Sequence, residues 1–281
     1  MVRREMEGGG HDVRLTDTPD DNRRFMSHHN IDVEQEMSRL LAAGGTPPIE
    51  EAPFTIDGVR LTPERIVGLL RPHMMERRLE RIQEVVAGRT RSVVPVVEGL
   101  VNTGNVSAVM RSAEALGHQD VHVVKGDHER YKHSQRTAQG AQHWLDVWHW
   151  DAPSDCATHL KKAGYRLVAM HLHADTVPIR SLDFTEPTAL IFGNEEAGVT
   201  DDMLAEADAA CEVPLPGFTE SFNVSVAAAV ALYHAQQDRI DHQGHHADLS
   251  DDEQARLVAR FCLRSVNNAE KIIARKLGKK E

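Results

Sequence analysis

The sequence predicts an α/β fold in which helices flank a largely parallel sheet. From Ser92 onward, short runs rich in β-branched residues alternate with segments of helical period, which is typical of parallel sheets. Polar loops that contain asparagine or glycine follow three of these runs, at the sheet edge where such folds bind ligands. Before Ser92 and after about residue 240 the alternation stops, and helical patterns predict extensions at both ends.

The chain begins with a predicted leader and a predicted helical extension. Residues 1–58 are polar and acidic, contain GGG and GGTPP, and lack a sustained apolar period, which predicts a mostly disordered segment. Residues 59–91 predict a basic N-terminal extension of two short helices. Thr62 and Pro63 form a helix start, and Pro72 interrupts that first helix.

The next segment, residues 92–240, predicts the α/β domain itself. Five short runs predict its strands: Val93–Val97, Val121–Val124, Arg166–Met170, Ala189–Phe192 and Glu212–Leu215. Four segments predict its helices, near residues 106–117, 154–163, 200–207 and 225–239. The segment between Tyr131 and Trp150 breaks the alternation and predicts neither.

Residues 241–281 predict a linker and one basic amphipathic helix. Apolar side chains recur between Val258 and Ile273 at the i, i+3, i+4, i+7 spacing of a helix with one buried face. We expect this helix to pack on the domain or on a second subunit.

The charge pattern leaves a nucleic-acid partner open. The formal net charge of −11 over 281 residues argues at first against a polyanionic partner, because nucleic-acid binding depends largely on Lys and Arg. The acidic residues, however, concentrate in residues 1–58 and in Asp248–Glu253, whereas both predicted helical extensions are rich in basic residues. Such basic flanks are compatible with nucleic acid, although they also occur on ordinary solvated helices.

Apolar runs and cysteines exclude several other classes of protein. No uninterrupted apolar run approaches the roughly 18 residues of a membrane span, and the charged start MVRREMEGGGHD has no apolar signal-peptide core. We therefore predict a cytoplasmic protein without membrane contact. Cys156, Cys211 and Cys262 follow no CxxC spacing, so we expect small buried side chains rather than a disulfide framework or a cysteine-rich zinc site.

Three loops carry the residues that indicate chemistry. EGLVNTGN, FGNEEAGVT and VPLPGFTESFNVS each follow a predicted strand and lead into a helix, so their polar residues should meet at the carboxyl edge of the sheet. The sequence has no GxxxxGK[ST] phosphate loop and no GxGxxG turn after its first predicted strand. ATP hydrolysis and a Rossmann-type cofactor site are therefore disfavoured.

Each polar residue in these loops also has a structural interpretation. Arg111 lies off the apolar face of its helix and would pair with Glu114 at i+3. Glu195 would be a surface carboxylate in a glycine-flanked turn, and Ser221 and Asn223 would cap the helix that follows them. These interpretations explain poorly why such residues, with Asn105, occur together in equivalent positions after the strands of one sheet.

Histidines suggest a further alternative, a metal site. His171 and His173 are two residues apart, and His242, His245 and His246 cluster, but no carboxylate motif accompanies either group. We therefore predict that the protein holds no metal.

Longer blocks of sequence identify a family resemblance. NTGNVSAVMRSAEALG, LIFGNEEAGVTDDML and VPLPGFTESFNVSVAAAVALY resemble, in order and spacing, the three motifs of the SpoU-type RNA ribose 2′-O-methyltransferases of the SPOUT superfamily. The likeness extends over roughly residues 62–240 and is strongest to the TrmH type, which methylates the guanosine at tRNA position 18. GAQHWLDV is similar to the segment that this type carries between its first two motifs.

The resemblance implies a fold, a cofactor and partners. Residues 92–240 would form a SPOUT methyltransferase domain with a deep trefoil knot on its C-terminal side. S-adenosylmethionine would bind bent in the knot, the site would be completed across a homodimer, and the substrate would be RNA, with tRNA expected and no DNA. The motif positions assign cofactor contacts to Met170, Gly193, Val213, Leu215 and Phe222.

The resemblance also implies a catalytic set, namely Asn105, Arg111, Glu195, Ser221 and Asn223. The arginine would accept the ribose 2′-hydroxyl proton or stabilise the oxyanion after it engages a phosphate. Asn105 would orient Arg111 or the nucleotide, and Glu195 would hold Asn105 or basic residues. Ser221 and Asn223 would shape the knot and the substrate pocket.

This sequence departs from the TrmH type in two cofactor positions, and two other functions stay open. Phe222 and Met170 stand where that type carries Leu and Thr, which changes the shape of the pocket more than its chemistry. The alternatives are an rRNA ribose 2′-O-methyltransferase and a non-catalytic RNA-binding or assembly factor with the same fold.

Overall fold

The computed structural model describes residues 54–100, 102–125, 140–172 and 176–278. Within these ranges the strands and helices follow one another as β1 (Phe54–Ile56), β2 (Val59–Leu61), α1 (Pro63–Leu70), α2 (Glu76–Ala87), β3 (Val93–Glu98), α3 (Thr103–Ala115), β4 (Asp120–Val124), β5 (Asp146–Trp150), α4 (Pro153–Lys162), β6 (Arg166–Met170), β7 (Val177–Pro178), β8 (Thr188–Phe192), α5 (Asp201–Glu206), β9 (Ala209–Glu212), α6 (Val224–Gln243), α7 (Asp251–Ser265) and α8 (Ala269–Gly278). Strand β1 lies inside the segment predicted as leader, whereas residues 1–53 are outside the described ranges.

The described strands confirm an α/β fold with a largely parallel sheet. Seven of them form one sheet in the order β5-β4-β3-β8-β6-β9-β7, and every neighbouring pair in it is parallel. Strands β1 and β2 form a separate antiparallel hairpin. Apolar clusters cover both faces of the sheet, because α3 and α6 pack on one face and α4 and α5 on the other.

One predicted strand was wrong, and β1, β2, β5 and β7 were not predicted. The last predicted strand, Glu212–Leu215, is replaced by β9, which ends at Glu212. Val213 and Leu215 mimic strand alternation, but Pro214 and Pro216 between and after them lack the N–H groups that a ladder requires. Strand β5 was not predicted, because its first residue is a buried aspartate that arginines neutralise.

The C-terminal part also differs from the prediction of one helix. Helix α7 ends at Ser265 and α8 begins at Ala269. Asn268 between them has a left-handed φ of 54°. The apolar spacing continues across this break because α7 packs on α1 and α2, and α8 packs on α1. These four helices, which we call the flanking helical unit, share one apolar cluster that includes Ile66, Leu79, Phe261 and Ile273.

A buried ion-pair network attaches the flanking helical unit to the sheet. Arg260 of α7 donates to Asp146 at the start of β5. Arg91 donates to the same carboxylate over 2.7 Å. Arg91 also donates to Asp120 at the start of β4 over 2.5 Å. Burial alone would raise the pKa of Asp146, but Arg260 and Arg91 outweigh it and hold that pKa below its usual value.

A second carboxylate joins the end of α6 to the start of β3. Asp248 accepts hydrogen bonds from Thr90 Oγ1 at 2.7 Å, from the Ser92 hydroxyl, and from the buried Arg239 at 2.6 Å. Removing one partner would leave a poorly solvated charge, which is costly. Both networks therefore hold the C-terminal segments on the amino edge of the sheet.

Three histidines are buried in the neutral form. Burial lowers the pKa of His118 to about 3 and that of His122 to about 3. His246 lies against His118 with ring centroids 5.0 Å apart, and burial lowers its pKa to about 4. Protonation of any of them would place a charge among apolar groups.

We expect the stability of the fold to fall as the pH is lowered. The unfolded chain binds these protons near the ordinary histidine pKa of about 6.5, whereas the folded chain resists them until about pH 4. Stability is therefore fully present above about pH 6.5 and is lost below it, with a slope approaching about 1.4 kcal/mol per pH unit for each histidine. Urea unfolding at a series of pH values measures this slope.

In the variant His118→Gln, the slope of the free energy of unfolding against pH should fall by the contribution of about one proton. The matched control, His245→Gln, changes an exposed histidine and should leave the slope unchanged. An unchanged slope in His118→Gln would contradict the assignment of acid sensitivity to this buried ring.

Candidate active site

The structure brings the three predicted loops to one edge of the sheet. Strand β3 leads through the first loop into α3, β8 through the second into α5, and β9 through the third into α6. Strands β3 and β8 are direct neighbours, and β6 lies between β8 and β9. Because all of these strands are parallel, their carboxyl ends and the loops that follow share one side of the molecule.

Asn105 connects the three loops. Its helix begins at Asn102, which caps α3 by accepting from Gly104 N over 2.9 Å, and this places Asn105 in the first turn. The Asn105 amide nitrogen donates to Glu195 Oε1 in the second loop. Its oxygen accepts from the Asn223 amide nitrogen in the third loop at 3.4 Å.

Asn223 caps the helix that follows it, as its structural interpretation predicted. Its side-chain oxygen caps α6 by accepting from Ser225 N at 3.0 Å and from Ser225 Oγ at 2.7 Å. Its amide nitrogen remains to face Asn105. The capping interpretation is therefore confirmed, and it orients the same side chain toward the site.

The structural interpretation of Arg111, an ion pair with Glu114, was wrong. Glu114 accepts from Arg89 at 2.7 Å, and Arg89 is almost completely buried, so the predicted i+3 pair with Arg111 is not formed. Arg111 is exposed, and within the described residues no hydrogen bond or ion pair occupies its guanidinium. A cation without an internal partner is available to an external anion such as a phosphate.

Direct contacts join Asn105, Glu195 and Asn223, but not the other two predicted catalytic residues. Ser221 lies exposed in the third loop, two residues before Asn223, and no contact with Asn105 or Glu195 is formed. The catalytic roles of all five residues stay predictions.

Three of the five predicted cofactor residues lie at the ends of three adjacent strands. Met170 ends β6 and pairs with Phe192 of β8 on one side and Cys211 of β9 on the other. Gly193 follows β8 directly, and Val213 follows β9 directly. Met170 and Val213 are partly buried against the core, while Leu215 and Phe222 continue along the third loop.

Gly193 is required by a close backbone approach. A Cβ at this position would lie 2.1 Å from the carbonyl carbon of Gly198, because the second loop closes through two hydrogen bonds between Asn194 and Gly198. No larger residue fits without moving the loop.

Two contacts between the first and second loops were not predicted. Glu98, at the end of β3, accepts from Thr200, and Asn194 donates to the Gly99 carbonyl at 2.8 Å. The sequence gives Glu98 and Thr200 no special pattern, since 102 residues separate them.

The histidine and cysteine predictions can be compared with the described ranges. His171 lies at the end of β6 near Gly198, whereas His173 is outside the described residues. Among the described residues, no group of three or more His, Cys, Asp or Glu is arranged to hold a metal ion. Cys156, Cys211 and Cys262 are free and buried, as predicted. None of the described helices is long and apolar enough to cross a membrane.

Known proteins resemble the chain over this same region. The model of the SpoU rRNA Methylase family matches residues 92–233. A tRNA (guanosine(18)-2′-O)-methyltransferase of Escherichia coli strain K12 is 36% identical over 58% of this chain and 70% of its own length. The Aquifex aeolicus protein of the same name is 29% identical over 69% of this chain and 92% of its own length.

Solved structures agree with these sequence relatives. The crystal structure of the A. aeolicus TrmH/SpoU tRNA modifying enzyme has a TM-score of 0.63 at 29% identity, covering 69% of this chain and 98% of that one. The SpoU methyltransferase AviRb from Streptomyces viridochromogenes has a TM-score of 0.50 at 27% identity, covering 60% of this chain and 65% of that one. With the family model spanning half of the sequence and the three motif loops gathered at one edge of its sheet, the chain belongs to the SpoU rRNA Methylase family of RNA 2′-O-methyltransferases.

Proposed function

We propose that this protein methylates a ribose 2′-hydroxyl of tRNA, with the guanosine at position 18 as the expected target and S-adenosylmethionine as the methyl donor. One observation carries most weight. Asn105, Glu195 and Asn223 are in contact at the carboxyl edge, while Arg111 on the same helix as Asn105 has no internal partner among the described residues. The names of the relatives from A. aeolicus and E. coli support the choice of tRNA.

Arg111 supplies the electrostatic part of this mechanism. The bound cofactor would supply an electrophilic methyl group. As the ribose oxygen bonds to that methyl carbon and the carbon–sulfur bond breaks, the hydroxyl proton passes to solvent water at this exposed position. The guanidinium of Arg111 has hydrogen-bond donors and no acceptor, so it binds a neighbouring phosphate and stabilises the developing alkoxide rather than acting as a base. Its exposed position leaves room for a phosphodiester.

Asn105 and Glu195 supply orientation. Glu195 accepts from the amide nitrogen of Asn105, which fixes how that amide is turned. The fixed amide then positions the nucleotide beside Arg111. Ser221, in the exposed third loop, completes the substrate pocket in this proposal.

A homodimer and a C-terminal trefoil knot belong to the same proposal. Helix α6 buries Ala228, Ala231 and Ala235 against the sheet, but it leaves a second apolar stripe exposed. That stripe consists of Val226, Val230, Tyr233 and Ile240, spaced by three, four or seven residues on one side of the helix. An exposed apolar stripe beside the site supports a second copy of the chain as its cover.

The flanking helical unit, with the basic residues of α1, α2 and α8, would hold the RNA by its phosphates. The alternative target is rRNA, and a specific relative supports keeping it. The 23S rRNA (guanosine(2553)-2′-O)-methyltransferase RlmP of Bacillus subtilis is 31% identical over 62% of this chain. A cytoplasmic location and the assignment of residues 1–58 as a separate leader remain part of the proposal.

The target can be tested by methyl transfer from tritiated S-adenosylmethionine to unmodified bulk tRNA and to ribosomal RNA. We expect incorporation into tRNA, and nuclease mapping should place the methyl group on one ribose in the D loop. Labelling of rRNA alone would replace the tRNA proposal with the rRNA alternative, and no labelling of either would favour a non-catalytic factor.

The variant Arg111→Ala should lower the methylation rate by about 100-fold or more, because it removes the cation that stabilises the alkoxide. Calorimetric binding of S-adenosylmethionine should be unchanged. The control Lys162→Ala removes an exposed cation from the end of α4, at the amino side of the sheet, and should keep full activity. Full activity of Arg111→Ala would refute the assigned role.

The variant Tyr233→Glu should convert the dimer into a monomer. Tyr233 is 54% exposed in the single chain, and a two-fold interface would bring two copies of the new charge into one apolar contact. Light scattering after size-exclusion chromatography measures the mass. Val59→Glu, at a residue 42% exposed on the β1-β2 hairpin, is the matched control and should stay dimeric. A dimeric Tyr233→Glu, or a monomeric parent protein, would contradict this interface.

A further inference from the structure

Glu98 is a buried carboxylate at the end of the central strand β3. It is only 2% exposed, and both of its oxygens accept from one residue, Thr200. Oε2 accepts from the Thr200 backbone N–H at 3.0 Å and Oε1 from the Thr200 hydroxyl at 2.5 Å. Within the described residues no arginine, lysine or histidine forms an ion pair with it. Burying a carboxylate that has hydrogen bonds but no counter-charge costs desolvation free energy. This cost suggests that Glu98 has a function besides packing.

The second loop is attached to Glu98 and its neighbour at both ends. At the start of the loop, Asn194 donates to the Gly99 carbonyl at 2.8 Å. At the end of the loop, Thr200 binds Glu98 and also caps α5 by accepting from Met203 N at 3.3 Å. The second loop is therefore attached at its start to Gly99 and at its end to Glu98, which are adjacent residues at the end of β3.

Glu195 lies between these two attachments. Its carboxylate meets Asn105, which stands seven residues after Glu98 at the far end of the first loop. The position of Glu195 relative to Asn105 thus depends on how the second loop is held against the end of β3. Neither Glu98 nor Thr200 belongs to the predicted catalytic or cofactor set.

We infer that Glu98 is a positioning residue for methyl transfer: by holding Thr200, it sets the second loop so that Glu195 meets and orients Asn105. This inference rests on the proposed function of Asn105 and Glu195. Displacements of about 1 Å at such a site lower rates by about 100-fold even when the moved residue touches no substrate. The role of Glu98 should therefore appear in kcat and not in substrate affinity.

Substitutions at both ends of the contact test this inference. In Glu98→Gln the amide oxygen can still accept from the Thr200 N–H, but the NH2 group must donate to the Thr200 hydroxyl, so that hydrogen bond reverses and both contacts lose the charge of the carboxylate that strengthens them. Thr200→Val removes the hydroxyl without changing the size of the side chain, whereas Thr200→Ser keeps both hydrogen bonds. The control Asp238→Asn changes another buried carboxylate, which accepts from Phe184 N at 2.9 Å on the amino side of β8.

Two measurements are made on the full-length protein. In steady-state methylation of bulk tRNA, we expect kcat to fall about 10- to 100-fold in Glu98→Gln and Thr200→Val, with the KM values for tRNA and S-adenosylmethionine little changed. Thr200→Ser and Asp238→Asn should retain the kcat of the parent protein. Amide hydrogen exchange of residues 193–200 should be about tenfold faster in Glu98→Gln and Thr200→Val than in the parent protein, Thr200→Ser or Asp238→Asn.

The two readouts separate this inference from the proposed function. A parent protein that methylates no RNA would overturn the proposed function. Unchanged hydrogen exchange of residues 193–200 in Glu98→Gln would overturn the inference about Glu98, whatever the activity. Faster exchange with the kcat of the parent protein, or a change confined to KM, would overturn it as well, because the loop would then move without consequence for the reaction.

Discussion

The parallel register of β3 and β8 is the constraint on which the site depends. Val97 pairs with Phe192, so the two strands end at the same level and their loops begin side by side. Glu98 and Gly193 are the residues that follow these partners. Glu98 accepts from Thr200 of the second loop, and Gly193 lets that loop fold back on itself at Gly198. A slip of one residue would exchange the two faces of a strand and separate Asn105 from Glu195.

Much of the architecture followed from periodicity, and the exceptions have physical causes. Strands of apolar β-branched residues, such as β3, give a pattern that local sequence shows. Strand β5 does not, because its buried Asp146 is stabilised by arginines that lie far away in the sequence. In α7 and α8 the apolar pattern persists through a break, since periodicity records the buried face and not the backbone turn at Asn268.

The sequence proposed a set of site residues, and the structure adds the contacts among three of them. Motif resemblance selected Asn105, Glu195 and Asn223, and the structure joins them through amide and carboxylate groups. Motif resemblance could not indicate that Arg89 would pair with Glu114. Because of that pair, Arg111 has no internal partner among the described residues. Hydrogen bonds such as that between Glu98 and Thr200 depend on which strands are neighbours, and local sequence does not contain that information.

The amino edge of the sheet binds the flanking helical unit, and the carboxyl edge carries the three motif loops. Asp120, Asp146 and Asp248 hold the flanking helical unit at the amino ends of β3, β4 and β5, whereas Asn105, Glu195 and Asn223 follow the carboxyl ends. A strand of five or six residues separates these edges by about 17–20 Å. In the proposed function, an RNA held by the basic helices of one chain must therefore extend past the sheet to reach that chain's own Asn105 and Glu195, or it must reach those of a second copy. A compact folded RNA spans this distance more readily than a short single strand, which is a geometric reason to expect a structured substrate such as tRNA.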